Sequence, residues 1–255
     1  MNLPLGYVQT VLTGRALPYT RPGSRSAINK QPVAGPVLVH REGLMGDEQG
    51  DRRVHGGPDK AVHLYASEHY PMWREELGPR RVLDTPGAFG ENLSTQGVTE
   101  ANICLGDQLL IGNTLLGVSQ ARQPCWKLND RFGVPDMARR VQRSLRSGWY
   151  CRVLEQGSLQ AGAPITLIAR PYPDWPLRRL MELLYLRPLE RELLMQTRDL
   201  PLVTSWRLLV ENRLARGEVE SWSERLEGPV RGECLIYYSW PRAADTATHR
   251  LFSLR

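Results

Sequence analysis

Between Leu5 and Ala169 the chain is a succession of short apolar, β-branched runs separated at close intervals by glycine. Leu5 to Thr13, Pro36 to Val39, Val62 to Tyr65, Asp107 to Val118, Gly148 to Leu154 and Ile165 to Ala169 each read as a strand. Gly43 to Asp47 and Gly157 to Gly162 read as turns. Only two segments carry a helical period. In Ser67 to Leu77, Ser67 is placed to cap, and Tyr70, Trp73 and Leu77 share a face. In Asp130 to Arg146, Met137, Val141 and Leu145 share a face opposite many arginines. Many short strands, regular glycine turns and few helices predict a mostly β, largely antiparallel, barrel-like domain over residues 1–170.

At Pro171 the character changes. Pro171, Pro173 and Pro176 form a stiff connector. Leu177 to Leu186 follows with a helical apolar face, Pro188 can start a second helix through Leu193 and Leu194, and Leu202 to Arg216 makes a third that Gly217 stops. Residues 171–228 are therefore expected to form a small three-helix module. From Glu218 to Arg255 there is no firm pattern beyond one strand-like run from Cys234 to Trp240, and residues 229–255 are set apart as a tail without an expected structure.

The net charge of +6 suits an anionic ligand, and the basic residues are scattered, mostly as arginine. No basic run is interleaved with aromatics, so nucleic acid is not expected as a partner. No stretch approaches the roughly twenty apolar residues that span a bilayer, so no membrane association is expected. The start of the chain lacks a secretory pattern, and the four cysteines form no C-x-x-C pair. A cytoplasmic, reducing setting with free thiols is the expectation, with Cys104 and Cys151 in the core.

Three stretches carry chemistry. In Ser119-Gln-Ala-Arg-Gln-Pro-Cys-Trp-Lys-Leu128, Pro124 stiffens the backbone, and Arg122 and Lys127 flank Cys125. Two cations beside a thiol favour the thiolate, which attacks electrophiles and binds soft metals. The alternative is a buried cysteine acting as a small hydrophobe. The segment Asp51 to Tyr65 holds Gly56 and Gly57 among His55, Asp59, Lys60 and His63. It reads as a charged surface turn, as an anion-binding nest, or as a weak metal site from His55 and His63. Gly87 to Leu93 is a second glycine-punctuated turn, whose Asn92 binds a ligand or holds its own loop. The long loop from Gly14 to Pro36 adds Arg15, Arg21, Arg25 and Lys30.

Taken in order, His55-Gly-Gly-Pro-Asp-Lys-Ala-Val62, Gly87-Ala-Phe-Gly-Glu-Asn-Leu93, Gly106-Asp107, Arg122-Gln-Pro-Cys-Trp-Lys127 and Gly148-Trp-Tyr-Cys-Arg-Val153 resemble a MOSC domain of the YiiM-like kind. In that family a three-helix module follows the barrel. The resemblance runs to about Gly228, and the tail departs from it. It implies a molybdenum cofactor (molybdopterin) site in which Cys125 is the catalytic residue and a thiolate ligand to molybdenum, beside the pterin dithiolene and oxo groups. It also implies reduction of N-hydroxylated compounds, hydroxylamino-purines among them, as a detoxification. Charge and proximity to these motifs nominate Arg25, Lys60, Arg122 and Lys127 as cofactor-binding cations, with backbone amides from Gly56 and Gly57. His55, His63 and Asn92 are candidates to stand behind the ligands or to handle protons.

No dinucleotide glycine fingerprint, flavin motif or iron–sulfur cysteine spacing is present. Electrons are therefore expected from a separate, flavin-type reductase, with the three-helix module as a candidate docking surface. Two alternatives use the same residues: a cofactor binder or carrier without turnover, and a sulfur-transfer protein carrying a persulfide on Cys125.

Overall fold

The computed structural model describes residues 3–50 and 56–228 of the chain. Strand β1 (Gly6–Thr13) opens it. The long cationic loop that follows contains three two-residue strands, β2 (Leu17–Pro18), β3 (Arg25–Ser26) and β4 (Gln31–Pro32). Next come β5 (Val37–His40) and β6 (Gly43–Leu44), which pair with each other, so the start of the expected Gly43 turn is itself strand. β7 (Val62–Ala66), helix α1 (His69–Leu77) and β8 (Leu93–Gln96) follow. The N-cap of α1 is Glu68, with no side-chain cap, so Ser67 does not take the capping role its position suggests.

The apolar run Asp107 to Val118 is a hairpin and not one strand. β9 (Gln108–Ile111) and β10 (Thr114–Ala121) pair from Ile111 against Thr114 across Gly112 and Asn113. Gly112 sits at φ 63°, where a two-residue hairpin wants glycine, and a Cβ there would lie 2.3 Å from the Ser158 carbonyl oxygen. The expected helix Asp130 to Arg146 is two, α2 (Lys127–Phe132) and α3 (Met137–Ser144). Gly133 ends α2 in the left-handed region, and Pro135 bars continuation until a new helix starts. β11 (Trp149–Glu155), β12 (Gly157–Leu159) and β13 (Pro164–Ala169) complete the β part. β12 pairs with β5, so Gly157 to Gly162 is strand before it turns.

Seven strands close into a barrel in the order β13-β9-β10-β11-β7-β8-β1, with β1 returning to β13 through Gly6 and Ile165. Every neighbour is antiparallel except β7 and β8, which run parallel and are joined across α1. Closure removes the free edges that a sheet of this size would otherwise present. Trp149, Leu64, Val118, Ile165 and their neighbours fill the interior.

Beyond the proline connector lie α4 (Leu177–Tyr185), α5 (Arg191–Gln196), α6 (Thr204–Arg216) and α7 (Ser223–Glu227). The first three are the expected helices, α5 beginning after Pro188 and α6 ending at Gly217. The fourth has no counterpart in the sequence reading. Leu177, Leu180, Met181, Leu183 and Leu184 are buried in the same apolar core as the barrel, so no water layer divides helices from sheet. A second cluster, Tyr65, Tyr70, Trp73, Phe89, Phe132 and Val141 among it, lies under α1, α2 and α3. Cys104, Cys125 and Cys151 are buried thiols, while Cys234 and the strand-like run around it lie outside the described residues. Among the described residues no helix is long and apolar enough to cross a membrane.

Leu180→Ala should lower stability by about 2–5 kcal/mol, the usual cost of emptying a filled core position, and should leave one cooperative denaturant transition. Two separated transitions, with only the helical one shifted, would contradict a shared core.

Candidate functional site

The site begins where β10 ends. The backbone amide of Arg122 donates to the Gly148 carbonyl at 2.9 Å, which ties the start of the cysteine loop to the entrance of β11. Gly148 stands at φ 73°, and a Cβ there would lie 2.4 Å from the Leu64 carbonyl oxygen and 2.8 Å from His63 Nε2. Only glycine lets the chain pass this close to β7. The buried carboxylate of Glu100 accepts the Gly148 amide at 2.7 Å and meets His69 Nε2 at 2.7 Å.

A cleft of about 90 Å³ opens there, room for a few waters or a phosphate-sized group. Cys125, Arg122, Lys127, Lys60, Lys30 and His63 all line it. Cys125 lines the cleft and is only 7% exposed. Arg122 is 5% exposed, and among the described residues its Nη1 has no hydrogen-bond partner. A buried guanidinium N–H facing no acceptor costs free energy unless something anionic meets it. Tyr150 is also in the lining, and burial raises its phenol pKa against the pull of the Arg122 cation.

The lysines are held differently. Lys30 is buried in an ion pair with Asp47, and burial lowers its pKa while Asp47 raises it. Lys60 is half-buried, and burial lowers its pKa while the nearby Cys125 and Asp59 oppose the shift. Lys127 Nζ donates to the Arg25 carbonyl at 2.7 Å. His63 is wholly enclosed. Burial first, then the charge of Arg122, pushes its pKa down to about 3, with the Gly90 and Ser147 carbonyls opposing. It is a neutral imidazole at pH 7, its ring 4.9 Å from that of Tyr150.

Several residues nominated from sequence have other duties. Arg25 enters through its carbonyl, while its guanidinium donates to the Ala16 carbonyl and stays out of the lining. Gly56 and Gly57 are not in the lining either, and the Gly57 amide is taken by Gln49 Oε1 at 3.1 Å. The expected amide nest is thus not built from Gly57. Asn92 lines the cleft, yet its side chain accepts from the His63 amide at 3.0 Å and donates to Asp47 at 2.8 Å and the Leu12 carbonyl at 3.2 Å. It fastens β7, β8 and β1 together. His55 lies outside the described residues, and among those described no group of three or more His, Cys, Asp or Glu could hold a metal ion by itself.

Sequence reasoning missed Asp47 and Tyr150, and left Lys30 as a loop cation. Lys30 and Asp47 meet across seventeen positions, with no local spacing to betray the pair. Glu91, in the second glycine turn, is fully buried and accepts the amides of Gly87 at 2.7 Å and Phe89 at 3.1 Å, which fixes that wall of the cleft.

The neutral His63 has a consequence for acid stability. Its folded pKa lies below the unfolded value, so the unfolded chain takes up the proton first and stability falls as pH drops from about 6.5 towards 3. Between pH 7 and pH 5 this one group should remove about 2 kcal/mol. His63→Gln should flatten that part of the pH–stability curve relative to the parent and leave the region above pH 7 parallel. Superimposable slopes would show that His63 is not held neutral.

Comparison with known proteins places this architecture. The MOSC domain family model matches residues 51–166, and the YiiM-like 3-alpha helix domain model matches residues 175–217. The Escherichia coli (strain K12) protein YiiM is 37% identical over 223 residues, covering 87% of this chain and 99% of that protein. A Gibberella moniliformis protein named Reductase is 40% identical over 190 residues, 74% of this chain but only 34% of its own length. The crystal structure of the Escherichia coli YiiM superposes with a TM-score of 0.74 at 32% identity, over 88% of this chain and 100% of that one. The chain therefore belongs to the MOSC family, in its YiiM-like form with a helical module after the barrel.

Proposed function

We propose that this protein is a molybdenum cofactor-dependent reductase of N-hydroxylated compounds, hydroxylamino-purines being the model substrates, served by a separate flavin-type reductase. The observation that carries the reading is the cleft itself: one enclosed thiol, a buried guanidinium with an unpartnered N–H, and three lysines converge on a phosphate-sized space. A single soft donor among cations does not make a metal site alone. It fits a metal that arrives with its own anionic sulfur and oxygen ligands and needs one further thiolate. Membership of the MOSC family and likeness to a protein named Reductase support the redox class.

Cys125 is the residue that would ligate molybdenum. Arg122 Nη1 would donate to an anionic oxygen of the cofactor, and Lys60 and Lys127 would balance its remaining charge. When bound, the centre supplies two-electron removal of oxygen from an N–OH group. The chain's own part is binding, orientation and proton supply. Removal of the oxygen as water takes two protons and two electrons and leaves the N–H product. Lys60, whose charged form burial disfavours, is the lining cation best suited to release a proton. His63, neutral and enclosed, gives the cleft a wall that does not compete for anions. Burial of the sulfur also favours a fixed ligand over a persulfide carrier, which must present its sulfur to an acceptor.

Protein from a host competent in cofactor synthesis should contain molybdenum and reduce 6-N-hydroxylaminopurine with a flavoprotein donor. Cys125→Ala should lose both. Arg122→Gln should retain the fold and bind cofactor about 10–100-fold more weakly, the loss expected of one charged hydrogen bond in a dry site. Molybdenum without turnover would identify a carrier. Turnover or sulfur transfer without molybdenum would overturn the reading.

A further inference from the structure

Helix α7 lies beyond both family domains, in a stretch the sequence reading left without a role. It returns to the cysteine loop. Arg225 Nη1 donates to the Pro124 carbonyl at 2.6 Å, and its Nη2 donates to Gln142 Oε1 on α3 at 2.6 Å. The Arg225 carbonyl accepts the Trp126 amide at 2.8 Å, and the Leu226 carbonyl accepts Asn129 Nδ2 at 2.7 Å. The residues on either side of Cys125 are therefore both bonded to one arginine, a hundred positions away in the chain. Gly228 packs so closely on Trp126 that a Cβ would lie 2.7 Å from the indole.

The clamp is anchored in the helical module. Glu220, just ahead of α7, accepts from Arg213 of α6 at 2.9 and 2.6 Å and from Trp222 Nε1 at 2.7 Å. Arg213 is buried and also donates to the Leu184 carbonyl at the end of α4 at 2.9 Å. Trp222 meets Tyr185 edge-on at 5.9 Å between centroids, and the Arg225 guanidinium lies over the Tyr185 ring, 5.9 Å from its centroid. A continuous run of contacts leads from α4 and α6 to the backbone on both sides of the sulfur.

We propose that Arg225 is a positioning residue: with α7 and the helices behind it, it holds the Cys125 loop in the conformation that aims the sulfur into the cleft. The helical module is then a buttress of the site, whatever else docks on it. This rests on Cys125 being the functional thiol of the proposed site, and it does not depend on which metal or substrate that site takes.

Native alkylation by iodoacetamide, resolved by peptide mass spectrometry on full-length cofactor-free protein, reads the loop directly. Arg225→Ala should raise the rate constant at Cys125 about tenfold, the scale of losing a charged hydrogen bond. Arg225→Lys, which can still reach the Pro124 carbonyl but cannot bridge to Gln142, should fall between. Arg139→Ala breaks the surface ion pair from α3 to Glu227 without touching the loop, and should match the parent. Cys104 and Cys151 should stay protected throughout. Equal rates at Cys125 in parent and Arg225→Ala would overturn the proposal, as would opening of all three cysteines together, which marks a general stability residue. Should Arg225→Ala fail to fold, Arg225→Gln carries the same expectation and the Lys variant a smaller rise. Molybdenum content of separately loaded parent protein tests the cofactor reading alone, so each claim can fail without the other.

Discussion

The approach of Gly148 to β7 is the contact on which the site depends. A backbone without a side chain passes within van der Waals reach of the Leu64 carbonyl, gives its own carbonyl to the Arg122 amide and its amide to buried Glu100. Three strands, β7, β10 and β11, are thereby fixed relative to one another at one end of the barrel. Arg122 emerges from that junction already buried, and the stiff Gln-Pro-Cys turn follows it. The guanidinium, the sulfur and His63 converge because β10 and β11 are in register with β7 there.

The electrostatics of the cleft follow from this burial. Positive charge is gathered where little water remains, which disfavours it. Asp47 answers Lys30, and the Arg25 carbonyl accepts from Lys127. Among the described residues Arg122 keeps an N–H with no acceptor. A site left in this state is preorganised for an anionic ligand, since the donors need not be rearranged or stripped of water when it arrives. His63 follows the same logic in reverse, kept neutral by the same cation and the same enclosure.

Much of this was readable in the sequence, and the failures have physical reasons. Alternation of apolar residues and regular glycines report strands directly, so the barrel and its three following helices were visible. The loop Arg122 to Lys127 was visible because its chemistry is local: proline, thiol and flanking cations in six residues. What was not visible depends on pairing across the chain. Gly56 and Gly57 looked like a nest, but Gln49 already takes the Gly57 amide. Asn92 looked like a ligand, yet it joins three strands. Lys30 and Asp47 are meaningful only as a pair. The break between α2 and α3 was in principle readable from Gly133 and Pro135, but the apolar face continues across it and masks the stop. Helix α7 is too short to show a period, and its Arg225 acquires a role only against Pro124 and Gln142. Because the helices share the barrel's core and reach the cysteine loop through α7, cutting the chain after the barrel would disturb the site along with any docking surface.

X-ray absorption at the molybdenum edge, on full-length protein loaded in a competent host, tests the central claim most directly. The account predicts that the sulfur shell around molybdenum includes one protein thiolate, and that Cys125→Ser protein reloaded with cofactor shows one sulfur fewer at that distance. An identical sulfur shell in both proteins would contradict it, because the metal would then be held without the thiol that the whole arrangement encloses.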